Sequence, residues 1–398
     1  MKPSGLIALM MLLKCITIVS NLTEFEMKKI VFLTGTRADF GKLKSLMRNI
    51  EDDPNFELHV ITTGMHMMKT YGSTYREVER EKYKHNYFVA NQHFGEPMCS
   101  VLGNTISLVS RITHEIDPDL IVVHGDRLEA LAGATVGALQ SRLVCHVEGG
   151  ERSGTVDELI RHSVSKLAHI HMVANEEAKK RLMQMGEDEG SIYIIGSPDL
   201  DVMNSDKLPS LEEVKKKYGI DFDNYAVSMF HPVTTEESKM GEYAEAYYNA
   251  LQNSGDNFVS IYPNNDSGST EIIEKLKKVS GGKIKSYPSI RFEYFLVLLK
   301  NAEYVIGNSS AGIREAPFYG VPTVNVGTRQ SDRYMGSSIV NANYTAESIL
   351  NSIQVAKDKR DIPPSKWFGD GDSTQKFAVA IRSTEFWERP VQKRFVDL

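Results

Sequence analysis

LIVVHGDRLEALAGA, residues 120–134, is an apolar, β-branched run that stops at His124, turns through Gly125-Asp126-Arg127 and goes on as a helix. LVCHVEGGERSGTVDE, residues 143–158, repeats the plan, with Glu148 after the run and Glu151 and Asp157 beyond two glycines. Near-continuous apolar runs of this kind suit strands of a parallel sheet covered on both faces. Ligands of such sheets sit outside the carboxyl ends of the strands, so these acids are expected to face a site rather than bulk solvent. Converging carboxylates with His and Arg beside them point to proton transfer on a polar substrate.

Outward from these runs the alternation of strand and helix continues. Strands are expected at 30–34, 58–62, 120–124, 143–147, 170–173 and 193–195, and helices at 40–50, 101–115, 128–140, 158–166 and 176–185. GSPDLDVMNSDKLPS (196–210) interrupts the pattern, which restarts with strands at 225–230, 258–262, 304–306 and 323–326. The fold class is therefore α/β, with two Rossmann-like domains facing a cleft. Residues 27–200 are expected to form the first domain with the acids, and 201–375 the second. Residues 376–398 are expected to pack back on the first. No G-x-G-x-x-G follows the first strand, which argues against a dinucleotide, and no cofactor is expected.

A chain of 398 residues, 41% hydrophobic and 25% charged, is too long for one core, consistent with two domains. Its net charge of −6 disfavours a general nucleic-acid surface. Three cysteines, Cys15, Cys99 and Cys145, form no CxxC pair, which fits a reducing cytoplasm. Residues 1–26 differ from the rest: Leu6 to Val19 is nearly all apolar but shorter than a membrane span and followed by no cleavage-site pattern. They are expected to be an extension upstream of the true start at Met27, and no membrane association is expected.

The motifs lie at strand ends. In GTRADFGKL (35–43), Asp39 is suited to capping the next helix, and Arg37 to reaching an anion near it. In HVEGGE (146–151), the glycines would let backbone approach a ligand closely. Thr155 and Glu158 have capping-box spacing, with Asp157 between them. MFHPVTTE (229–236) places His231 at a strand end, with Thr234 and Thr235 able to cap a following helix. In YPNNDSGS (262–269), Asn264 and Asp266 could bind hydroxyls or make an Asx-turn. In GNSSAGIREAPFYGVPTVNVGTRQ (307–330), Ser309 and Ser310 at a helix N-terminus form a phosphate site, with Glu315 for ribose hydroxyls and Arg329 for a diphosphate. HIHMV, with His169 and His171 on one strand face, reads as packing; no H-x-x-x-H or H-E-x-x-H pair occurs, and no metal is expected.

Taken in order, GTRADFGKL, HGDRLEALAGA, HVEGGERSGTVDELIRHS, FHPVTTE, YPNNDSG, GNSSAGIREAPFYGVP and VGTRQSDR resemble the UDP-N-acetylglucosamine 2-epimerase family, in particular its hydrolysing branch. The resemblance runs from about Met27 to the C-terminus. It implies a GT-B-type fold and a UDP-sugar substrate held by Arg37, Arg127, His231, Asn264, Ser309, Ser310, Glu315 and Arg329. The catalytic positions it implies are Asp126, Glu148 and Asp157, with His231 counted among them as well. Glu148 and Asp157 are assigned to proton transfer, and Asp126 to stabilising or orienting the sugar. A homo-oligomer, dimer or tetramer, is also implied. The rival readings are a hydrolysing 2-epimerase for UDP-N,N′-diacetylbacillosamine, a GT-B glycosyltransferase and a non-catalytic UDP-sugar sensor.

Overall fold

The computed structural model describes residues 26–153, 156–331, 333–359 and 362–397. The expectation for residues 1–26 lies almost wholly outside them. The first half forms β1 (Lys28–Thr34), α1 (Arg37–Glu51), β2 (Phe56–Thr62), α2 (Tyr75–Arg80), β3 (His85–Phe88) and α3 (Met98–Ile116). There follow β4 (Leu120–His124), α4 (Leu128–Leu139), β5 (Leu143–Val147), α5 (Val156–Leu167), β6 (Ile170–Val173), α6 (Glu176–Gln184) and β7 (Ile192–Ile194). Its seven strands are all parallel, in the order β3-β2-β1-β4-β5-β6-β7. The interior strands are buried on every position from Leu120 to His124 and from Leu143 to Val147, as their composition requires.

Two helices, α7 (Asp199–Met203) and α8 (Leu211–Tyr218), lead to the second half. It contains β8 (Ala226–Met229), α9 (Met240–Ser254), β9 (Phe258–Ile261), α10 (Ser269–Val279), β10 (Ile284–Tyr287), α11 (Phe292–Lys300) and β11 (Val305–Gly307). Then come α12 (Glu315–Phe318), β12 (Thr323–Val326), β13 (Ile339–Ala342) and α13 (Ala346–Asp358). Its sheet, also parallel, runs β10-β9-β8-β11-β12-β13. The chain ends with α14 (Ser373–Ile381) and α15 (Thr384–Trp387). Phe377 of α14 meets Phe32 of β1 edge-on at 6.5 Å, so this segment belongs to the core of the first half. The expected joins at 200 and 375 fall inside α7 and α14. Among the described residues no helix is long and apolar enough to cross a membrane.

Each sheet reverses its winding once, between β1 and β4 and between β8 and β11. A strand-order reversal leaves a crevice at the carboxyl ends, where neighbouring loops turn to opposite faces. The ends of β1, β4, β8 and β11 carry Arg37, Asp126, His231 and Ser309, so topology collects these residues before any side-chain contact is considered.

Candidate active site

A cavity of about 300 Å³ lies between the two crevices and is lined by residues of both halves. At the end of β1, Thr36 is the N-cap of α1 and Asp39, three residues on, closes the capping box. Asp39 thus caps α1 as expected, from the third helical position: its carboxylate accepts the Thr36 N–H at 3.0 Å, while Thr36 Oγ1 accepts the Asp39 N–H at 3.2 Å. Arg37 donates to Ser289 Oγ of the other half at 2.5 Å and pairs with Glu77. At the end of β4, the N-cap position of α4 is Arg127, which makes no side-chain cap. Asp126 is therefore free for another role and pairs with Arg161, with Arg333 at 3.8 Å.

Glu148, after β5, has φ of +63°, a left-handed conformation uncommon for a residue with a side chain. Such conformations persist only where the surroundings hold them, and here the Glu148 N–H donates to Met172 O at 2.8 Å. Gly150 follows at φ +74°, where a Cβ would lie 2.9 Å from the Ala178 carbonyl carbon. This corrects the expectation that these glycines make room for a ligand. Gly150 brings the loop against α6, and neither it nor Gly149 lines the cavity. What the loop delivers is the Glu148 carboxylate, which Ser197 and Arg314 (2.5 Å) hydrogen-bond, with His124 at 3.0 Å and Lys42 at 3.8 Å. Asp157, on the first turn of α5, pairs with Arg329 across the cleft at 2.8 Å. The capping role expected of Thr155 lies outside the described residues.

On the second half, Asn308 fixes His231: its Oδ1 accepts the His231 N–H at 2.6 Å and its Nδ2 donates to His231 O at 2.9 Å. His231 Nδ1 accepts the Asn264 N–H at 3.0 Å, which leaves the ring proton on Nε2. Burial, with Arg329 and Arg127 nearby, holds this imidazole well below its ordinary value, so it is neutral. Asp266 N donates to Asn264 Oδ1 at 3.4 Å in an Asx-type turn, and Arg127 reaches over to Asp266 at 2.9 Å and Asn265 at 2.5 Å. Thr234 and Thr235 do not cap a helix: they open a 3₁₀ stretch, Thr234–Lys239, whose N-cap position is Val233. The helix expected after Ser309 is a single 3₁₀ turn, Ser310–Gly312, followed by the four residues of α12. Its dipole is correspondingly small, and an anion there would rely on hydroxyls, N–H groups and Arg329, whose guanidinium donates to Asn308 O at 3.3 Å.

The three acids differ in their electrostatics. Burial alone would raise each. For Asp126 it is overcome by Arg161, Arg333 and other arginines, which bring the carboxyl down to about 2. Burial of Glu148 is overcome by Arg314, Lys42 and His124, and its carboxyl lies well below the usual range. For Asp157 burial wins: Asp126 and Asp266 add to it, and Arg329 does not cancel them, so its carboxyl is raised. Glu315, buried beside Lys42 at 3.3 Å, is also raised by burial.

All eleven expected residues, Arg37, Asp126, Arg127, Glu148, Asp157, His231, Asn264, Ser309, Ser310, Glu315 and Arg329, line this cavity. Sequence reasoning passed over Lys42, Arg314 and Arg333, which also line it, and Ser197 and Asp199 behind them. Lys42 sits in the GTRADFGKL motif and Arg314 immediately before Glu315; their motif positions were the only available signal. Among the described residues, metal-ligand atoms also gather at Glu57, His59 and His85 on the β2–β3 edge, outside the cavity. Sequence spacing missed that group because two strands contribute to it.

The family model for UDP-N-acetylglucosamine 2-epimerase matches residues 48–382. A UDP-N-acetylglucosamine 2-epimerase of Neisseria meningitidis serogroup B is 60% identical over 375 residues, covering 94% of this chain and 100% of the relative. A UDP-N,N′-diacetylbacillosamine 2-epimerase (hydrolyzing) of Legionella pneumophila is 31% identical, covering 88% and 94%. The crystal structure of Methanocaldococcus jannaschii UDP-GlcNAc 2-epimerase in complex with UDP-GlcNAc and UDP superposes with a TM-score of 0.75 at 21% identity, covering 89% of this chain and 99% of that one. This likeness shows the shared two-domain fold of GT-B type.

Proposed function

The chain belongs to the UDP-N-acetylglucosamine 2-epimerase family, and on that premise we propose that it is the hydrolysing enzyme, converting UDP-GlcNAc and water into ManNAc and UDP. One observation carries the reading: Asp126, Glu148 and Asp157 on one wall face Ser309, Ser310 and Arg329 on the other, across a single cavity. The first half supplies the acids, and the second holds UDP.

The C2 proton of the sugar has no carbonyl beside it and is not acidic. Breaking the C1–O bond to UDP places positive charge at C1 and the ring oxygen, after which even a weakly basic carboxylate can take that proton and leave a glycal. Glu148, ionised by its cationic neighbours, is placed to accept it. Asp126 stays ionised and stabilises the positive charge, the kind of preorganised electrostatics that lowers such barriers. Negative charge on the departing diphosphate is met by Arg329, Ser309, Ser310 and the Nε2–H of neutral His231. Asp157 is the carboxyl pushed upward, so it is suited to hold a proton of its own and deliver it to C2 as water adds to C1; the proton that water gives up recharges Asp157, and the one taken by Glu148 leaves to solvent. Two acids driven apart by their surroundings is the arrangement this division needs.

The 60% identity to a relative named for UDP-N-acetylglucosamine, against 31% to one named for the bacillosamine sugar, supports the acetylglucosamine substrate. ManNAc would feed sialic acid synthesis for a surface polysaccharide. The free thiols Cys99 and Cys145 suit a reducing cytoplasm. The outward-facing Leu139 and Leu159, 80% and 67% exposed at the end of α4 and on α5, suit pairing of the chain with itself. Incubation with UDP-GlcNAc in deuterated water tests the function: free UDP and ManNAc deuterated at C2 are expected. Faster turnover of UDP-N,N′-diacetylbacillosamine in a parallel assay would reassign the substrate, and UDP release only with a sugar acceptor would make the protein a glycosyltransferase.

A further inference from the structure

Arg314 follows the 3₁₀ turn of the second half, yet both terminal nitrogens of its guanidinium donate to groups from elsewhere. One nitrogen donates to Glu148 Oε1 and to Ser197 Oγ, each at 2.5 Å, and the other to both oxygens of Glu151 at 2.5 Å. Ser197 belongs to the segment joining the halves, and Glu148 and Glu151 to the loop after β5. The guanidinium lies 4.5 Å from the centre of the Phe368 ring, so it is stacked as well as forked. It is 4% exposed, and three further charges, Lys42, Asp199 and Glu315, gather on the Glu148 side of the fork. A planar fork holding two carboxylates fixes direction as well as charge, which a lysine at this place could not do.

Resting on the epimerase reading, we propose that Arg314 is a positioning residue for the reaction: supplied by the second half, it aims and charges the Glu148 carboxylate, so that the base is complete only when the two halves meet. Ser197 relays the same constraint from the connecting segment, and Glu151 anchors the far side of the fork. Lys42 (α1) and His124 (β4) also face Glu148, but both come from the first half and would remain with it in an open cleft.

The test compares wild type, Arg314→Gln and Arg314→Lys for kcat, its pH profile and the affinity for UDP. R314Q is expected to lose about 10²-fold or more in kcat, the scale of disabling a general base, while UDP affinity changes by less than about threefold (under 1 kcal/mol). Without Arg314 the Glu148 carboxyl rises, so the acidic limb of kcat moves to higher pH. R314K keeps the charge and is expected to return the limb towards wild type while restoring only part of kcat. Wild-type turnover by R314Q, an unmoved acidic limb, or an equal loss of UDP affinity would each overturn the proposal. Should R314Q not fold, Glu151→Gln loosens the same fork; it is expected to lower kcat with UDP affinity kept, and unchanged kcat overturns the proposal. Failure of the wild type to turn over UDP-GlcNAc would instead remove the reading on which this rests.

Discussion

Asp157 meets Arg329 at 2.8 Å, on the wall opposite its own helix. A diphosphate arriving beside Ser309 competes for the same guanidinium. Burial, Asp126 and Asp266 already raise the Asp157 carboxyl, and Arg329 is the main influence holding it down. Drawing Arg329 away therefore raises it further, and UDP binding at mildly acidic pH should take up a proton. Calorimetry at pH values above the ordinary aspartate value of 3.8, in buffers of different ionisation enthalpy, measures the uptake. Asp157→Asn should abolish it; no uptake by the wild type would mean that Arg329 stays on Asp157. For catalysis, Asp126→Asn, Glu148→Gln and Asp157→Asn are each expected to lower kcat by about 10²–10⁴-fold and still bind UDP, whereas Ser310→Ala and Arg329→Ala should weaken UDP binding. Near-normal turnover in all three acid variants would refute their assignment. These residues were legible in the sequence because each ends an apolar run or opens a turn. Arg314 and Lys42 were not: their partners lie 166 and 106 positions away in Glu148, and no local pattern marks a charge whose counter-charge is that distant.

At the level of elements, α5 carries Asp157 and Arg161 on its first turns, and the C-terminal segment grips its other end. Lys393 donates to the carbonyls of Ser165 (3.2 Å), Lys166 (3.0 Å) and Ala168 (2.8 Å), the acceptors a helix leaves unpaired. Val391 O accepts from His169 Nε2 at 2.8 Å, and Glu187 gathers His171 (2.9 Å), Lys166 (2.7 Å) and Lys393. His169 and His171 are buried as expected of packing residues, but each is also tied to a specific partner. Burial would raise Glu187, and His171 with the two lysines outweighs it, bringing the carboxyl to about 2. A depressed carboxyl contributes stability in full above its ordinary value of 4.5 and loses it as pH falls towards 2. Glu187→Gln should therefore melt below wild type at neutral pH by at most about 3 kcal/mol, and the gap should close on acidification. A gap independent of pH would show that charge is not what Glu187 contributes. The interior strands could be read from composition, since burial on both faces leaves apolar runs. β3, β10 and β13 could not, because HNYF, IKSY and IVNA lie at sheet edges where one side needs no apolar cover.

For the molecule as a whole, catalysis as proposed requires the walls to meet, and ion pairs join them: Arg127 with Asp266, Arg329 with Asp157, Lys44 with Glu293 at 2.8 Å, and Arg314 with both glutamates. An apolar contact sets how near they come. Gly41 lies in α1, where glycine costs the helix about 1 kcal/mol relative to alanine, and a Cβ there would stand 2.7 Å from Phe292 Cβ at the start of α11. The glycine gives up helix stability for a close approach of the two halves. Gly41→Ala therefore has effects of opposite sign at two scales. Within the first half it favours α1, so thermal stability should hold or rise slightly. Between the halves it overpacks the junction, a penalty of about 1–3 kcal/mol that falls only on the closed arrangement. That is about 5- to 150-fold in kcat/KM, with UDP binding and turnover falling together because both need the walls apposed. Trimming the other side by Phe292→Leu in the same chain should recover part of the loss, although Phe292→Leu alone should not improve the enzyme. A double-mutant cycle on kcat/KM gives this coupling directly. If G41A leaves kcat/KM unchanged, or if its loss adds to that of F292L instead of being relieved by it, the α1–α11 contact does not limit closure, and the ion pairs alone bring the acids to the diphosphate.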